Sequence, residues 1–122
     1  ALKADLGLRL LKYYQAKDSK KLAQIAAEEL PLLVERVETL RQRHMKQWLY
    51  AYKPFGWEVI DQRYGGLIAR LHSTGERLEE YLSGQVASLP ELEETRLVYR
   101  STSEQLLLEE IRHHKIISAC NR

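Results

Sequence analysis

The sequence predicts an all-α fold: a helical bundle built around two long antiparallel helices, with shorter C-terminal helices. Three observations carry this. Apolar residues recur at three- and four-residue spacing along most of the chain, the period of a helix with one buried face. No stretch alternates apolar and polar residues as a half-buried strand would. Turn and cap residues punctuate the pattern at Asp18-Ser19, Lys53 to Gly56, Gly84 and Ser88 to Pro90.

The elements follow in order. Residues 1–17 read as a helix, with Leu2, Leu6, Leu10 and Tyr13 on one face and Leu8 and Leu11 widening it. Asp18 or Ser19 caps the next helix, because its oxygen can accept an orphan backbone N–H. That helix is long, residues 20–52. Its stripe is Leu22, Ile25, Ala26, Leu30, Leu33, Val37, Leu40, His44 and Trp48. Pro31 lacks an N–H and crowds the preceding turn, so a kink or break is expected near Glu28 to Pro31. A turn at Lys53-Pro54-Phe55-Gly56 leads into a third helix, residues 57–83, with Ile60, Tyr64, Leu67, Leu71, Leu78 and Leu82 on one side. Gly84 suits a helix C-cap. Pro90 near the first helical position, with acids after it, starts a short helix over residues 90–97. A last helix is expected over residues 104–119, capped by Ser101, Thr102 or Ser103.

The chain has 122 residues, the size of one domain. Apolar residues make up 44% and charged residues 30%, which fits a folded helical domain rather than a disordered chain. The net charge of +2 lacks the basic excess of a dedicated nucleic-acid binder. The clusters Lys20-Lys21, Arg41 to Lys46 and Arg112 to Lys115 lie among glutamates and read as solvated, salt-bridged faces. The one cysteine, Cys120, excludes a disulfide within the chain and points to a reducing compartment, so a cytoplasmic location is expected. No apolar run reaches the roughly 20 residues that span a bilayer, and no membrane partner is expected. Ala1 already lies in a helical pattern, which suggests a segment of a longer protein.

Little in the sequence points to chemistry. Glu110 and His113 form one Glu-x-x-His step, but a di-iron bundle needs two such steps and further glutamates; neither a metal nor another cofactor is expected. Glu58 and Asp61 stand three residues apart on one helix, and a structural ion pair, with Arg63 or Arg70 close in sequence, fits them better than an acid/base pair. Cys120 has no base beside it in sequence. Gly65-Gly66 follows a helix start rather than a strand and is no phosphate loop. Each mid-helix glycine costs about 1 kcal/mol relative to alanine. Their use is therefore to strip side chains from the helix and let another element approach its backbone. Trp57, Asp61, Arg63, Tyr64, Gly65 and Gly66 are the contact-surface candidates. Trp48 and Tyr52 can join the same end of the bundle, and both tryptophans being plain core is the competing reading.

Lys53-Pro54-Phe55-Gly56-Trp57-Glu58-Val59-Ile60-Asp61-Gln62-Arg63-Tyr64-Gly65-Gly66-Leu67, followed by Ala69-Arg70-Leu71, resembles a segment in the C-terminal helical region of glycoside hydrolase family 20 β-N-acetylhexosaminidases. The stretches Ala1 to Leu8, Glu79 to Gly84 and Leu89 to Leu97 continue the resemblance, which covers residues 1–99. Such enzymes release terminal N-acetylhexosamine by a substrate-assisted mechanism, with an Asp and a Glu on a (β/α)₈ barrel. This chain resembles only the helical region, so no catalytic residue carries over. The resemblance implies a non-catalytic C-terminal domain that packs on the catalytic barrel of the same polypeptide or on a partner subunit, with a homodimer among the expected arrangements. The alternative is a freestanding helical protein–protein interaction module that binds a partner helix. A helical nucleic-acid binder using Arg41, Arg43, Lys46, Arg112 and Lys115 is disfavoured by the charge balance.

Overall fold

A computed structural model of the chain describes residues 5–94. Five α-helices follow one another: α1 (Leu6–Gln15), α2 (Ser19–Gln24), α3 (Leu30–Ala51), α4 (Trp57–Leu82) and α5 (Pro90–Glu93), with a π-helical turn (Ile25–Glu29) between α2 and α3. Among the described residues there is no strand. The expected last helix, residues 104–119, lies outside them, as does the second half of the expected 90–97 helix.

Pro31 bends the rules of the long helix without ending it. It cannot donate to the i−4 carbonyl, and its ring presses on the turn before it. The helix relieves this one turn earlier: Leu30 N–H bonds the Ile25 carbonyl, five residues back. Residues 19–51 therefore form one rod, where the sequence allowed a break. The wide turn also sets Glu29 toward α1. Arg9 grips its carboxylate with both terminal nitrogens, at 2.9 and 2.7 Å.

The caps explain where the helices end. Asp18 Oδ1 accepts Lys21 N–H at 3.1 Å. At the end of α1, Lys17 takes a left-handed φ of +53°. Its N–H bonds Tyr14 O at 3.0 Å, and Asp18 N–H bonds Tyr13 O at 2.9 Å. This double closure is the Schellman pattern, with a lysine where glycine is the usual residue. Helix α4 ends the same way at Gly84, φ +78°, through Gly84 N–H to Tyr81 O at 3.1 Å and Gln85 N–H to Glu80 O at 2.9 Å.

The core sits at one end. Leu6 and Leu10 of α1 close over Leu22, Ile25, Leu30, Leu33, Val37, Leu71, Leu78 and Leu89. Each such leucine contributes about 1.5–3 kcal/mol relative to exposure. Tyr14 ties α1 to α5 and the end of α4: its hydroxyl donates to Glu93 and accepts Leu89 N–H at 3.0 Å, and its ring leans on Tyr81 with centroids 5.3 Å apart. Two expected core positions are corrected. Leu8 is 62% exposed and Leu40 56%. On α3 the inward stripe runs from Val37 through Arg41 to His44, so Leu40 falls about a fifth of a turn aside.

The helix pair α3–α4 extends beyond this core. From residue 38 to residue 70 no side chain is fully buried. Among the described residues α1 and α5 reach only the other end, so the distal half is two helices and a turn.

Candidate docking site at the hairpin tip

The distal half is where the unusual residues gather. Gly56 starts α4 with φ +96°, a conformation that side chains rarely adopt. Its N–H donates to Glu58 Oε2 at 2.8 Å, which fixes the entry of the helix. A Cβ on Gly56 would meet Trp48 Cζ2 at 3.4 Å. Glycine therefore lets the turn fold down on the Trp48 indole. The indole N–H in turn donates to the Lys53 carbonyl at 3.0 Å.

An aromatic cluster lies behind this turn. The His44 ring meets Trp57 and Tyr64 edge-on, with centroids 5.4 and 5.9 Å apart, and His44 Nδ1 lies 3.0 Å from the Tyr64 hydroxyl. Trp48 lies 6.3 Å from Trp57 and 5.0 Å from Tyr52. Edge-on and tilted pairs at these separations suit the ring quadrupoles. One turn deeper, Arg41 donates from Nε to Asp61 Oδ1 at 2.7 Å and from a terminal nitrogen to Glu38 at 2.8 Å. The hydrogen bond to Asp61 and desolvation pull the guanidinium pKa in opposite directions, and the bond wins, so the pKa lies above its ordinary value.

The candidates therefore separate into two sets. Trp57, Asp61 and Tyr64 face α3 and hold the two helices together, half-buried. The sequence offers Asp61 as a contact-surface residue and places Arg63 or Arg70 close enough to pair with Glu58 or Asp61. The partner of Asp61 is Arg41 across the helix pair, because the antiparallel packing of α4 on α3 brings Asp61 beside Arg41 and Tyr64 beside His44. Glu58 serves the Gly56 N–H, so Glu58 and Asp61 do not act as a pair. Arg63, Gly65 and Gly66 are exposed, with Gly66 on the face of α4 turned away from α3. A Cβ at Gly65 or Gly66 meets nothing within 4 Å. Exposed Ala69 and Ser73 continue that face at helical spacing, with Arg63 and Arg70 along one edge.

Around the turn, large apolar side chains stand in solvent: Tyr50 is 95% exposed, Phe55 84% and Tyr52 65%. Sequence reasoning placed Trp48 and Tyr52 at this end but missed the roles of His44, Arg41 and Phe55. The signal for the first two was the antiparallel register. Phe55 carried none, since a turn phenylalanine can as readily fold inward. Among the described residues no group of three His, Cys, Asp or Glu side chains is arranged to hold a metal, and no helix is long and apolar enough to cross a membrane.

Among the described residues the arrangement defines a class first: an all-α domain with its core at one end, and a two-helix projection whose tip is aromatic and whose α4 face carries exposed glycines. The particular family follows from comparison. Residues 1–110 match the model of the Glycoside Hydrolase 20C C-terminal domain, and the chain belongs to that family. The match runs past Tyr99, where the sequence resemblance ended, to residue 110. No curated protein matches the chain.

Proposed function

We propose that this chain is the non-catalytic C-terminal domain of a β-N-acetylhexosaminidase that releases terminal N-acetylhexosamine from glycans, and that its hairpin tip packs on the catalytic (β/α)₈ barrel. One observation carries the reading: the 38–70 stretch holds both tryptophans yet buries no side chain fully. Among the described residues a third layer covers the helix pair at one end only, which leaves apolar surface for a neighbour to cover. Family membership names the kind of neighbour, since a glycoside hydrolase C-terminal domain accompanies a catalytic domain.

The roles divide accordingly. Trp57, Asp61 and Tyr64, with Arg41, His44 and Trp48, keep the tip rigid. Phe55, Tyr50 and Tyr52 supply apolar anchors, and Gly65 and Gly66 let the neighbour's backbone approach, with Arg63 at the edge. A rigid, pre-formed patch loses little conformational freedom on docking.

The test is Phe55→Ser in two settings. Phe55 is 84% exposed, so in the isolated chain the substitution shifts stability by no more than about 0.5 kcal/mol. In the full-length enzyme it removes a buried anchor and lowers the melting temperature or loosens the domain contact, seen as faster proteolysis between the domains. Unchanged behaviour in the full-length enzyme rejects Phe55 as an anchor.

A further inference from the structure

From Gln62 to Gly75, α4 carries no acid. Arg63 and Arg70 lie in that stretch and Arg77 just beyond it, at seven-residue spacing. Each therefore falls within about 20° of the last around the helix. The three form a row about 21 Å long, on the side of α4 turned away from α3. Arg77 is held by Glu80 and Glu91. Arg63 and Arg70 are exposed, and neither pairs with a carboxylate among the described residues.

Beside the row, between α1, α4 and α5, lies a hollow of ≈ 450 Å³. Leu10, Leu78, Leu89 and Leu92 line it together with Arg70 and Arg77. The first three leucines belong to the buried core, so the floor of the hollow is apolar. Glu91, the one acid that lines it, is already paired with Arg77 at 3.0 Å. Two chemistries meet here. A free guanidinium presents a planar fork that grips a carboxylate through two bonds. An apolar recess takes an apolar side chain, which an acidic peptide supplies and a sulfated glycan does not. We infer that the row receives an acidic segment of the catalytic domain, with carboxylates opposite Arg63 and Arg70 and one apolar side chain in the hollow. The inference rests on the proposed packing against that domain and adds the charge of the surface that is met. The ion pairs set register and partner choice, and the seated side chain supplies the affinity.

The test uses the full-length enzyme. Arg70→Glu sets like charges against each other and should speed proteolysis between the domains about tenfold at low ionic strength. In 1 M salt, where the Debye length is about 3 Å, most of that difference should vanish. Arg36→Glu, the same reversal at an exposed α3 position outside the row, should leave the rate unchanged. The photocrosslinking residue p-benzoylphenylalanine in place of Ser73, which lines the hollow, should form its adduct on an Asp- and Glu-rich peptide of the catalytic domain. Equal effects of Arg70→Glu and Arg36→Glu, an effect that salt does not reduce, or an adduct confined to residues 95–122 of this chain or to a second copy would overturn the inference. So would unchanged proteolysis in Arg70→Glu together with its loss of wild-type retention on heparin, which would assign the row to a sulfated glycan. Phe55→Ser reads the tip separately: if it loosens the domains and Arg70→Glu does not, the tip reading stands and the arginine row alone fails.

Discussion

The twin glycines give the sharpest test, because the same substitution should act in opposite directions in two settings. Gly65 and Gly66 lie within α4, and an added Cβ at either meets nothing within 4 Å. In the isolated chain Gly65→Ala with Gly66→Ala therefore gains helix propensity without a clash. The gain is about 1 kcal/mol at each position, about 2 kcal/mol together. With a urea slope of about 1–3 kcal/mol/M for a small domain, the midpoint should rise by about 1 M. Trp48 and Trp57 lie in the distal cluster, 6.3 Å apart, so indole fluorescence follows the unfolding of this end. In the full-length enzyme a backbone packed on the glycines would meet the new methyl groups. The overpacking cost, typically about 1–3 kcal/mol, then cancels or reverses the gain, read as a lower melting temperature or a weakened domain contact. If the full-length enzyme gains as much as the isolated chain, nothing lies on the glycines and the docking reading loses its central surface. If the isolated chain gains nothing, Gly65 and Gly66 do not stand in open space in the isolated domain.

Other outcomes follow from the same geometry. Lys17→Gly should stabilise the chain by about 0.5–1 kcal/mol, since Lys17 pays for its φ of +53° a left-handed strain that glycine avoids; a denaturation midpoint that falls instead would show that the Lys17 side chain contributes something in return. Leu22→Ala should cost about 2–5 kcal/mol, because Leu22 is 0% exposed in the core; calorimetry checks this. The Tyr14–α5 junction should respond to pH at both limits. Hydrogen bonding to Glu93 raises the Tyr14 pKa, so its contribution is full below the ordinary phenol value of about 10 and is lost as pH rises through the higher folded value. Hydrogen bonding to its own backbone N–H, then to Arg77, lowers the Glu91 pKa. That contribution is present above the ordinary carboxylate value of about 4.3 and is lost as pH falls through the lower folded one. Tyr14→Phe should remove the alkaline loss and leave the acid one, measured as melting temperature against pH; an unchanged alkaline limb would assign it to another group.

What could be read from the chain alone was whatever depends on near neighbours. The 3.6-residue period marked α1, α3 and α4, Asp18 and Gly84 marked their limits, and Pro31 marked the irregular turn, because propensity, capping and proline sterics act within a few residues. The same period misjudged Leu8 and Leu40, since the hydrophobicity of a residue does not say which helix, if any, arrives to cover it. Tertiary packing decided that Arg41 meets Asp61 and His44 meets Tyr64, as both depend on how α3 and α4 align when they pack. It also decided that Gly65 and Gly66 face open space while Trp57 faces α3. Burial is a property of pairs of elements, and a single helix carries only half of that information.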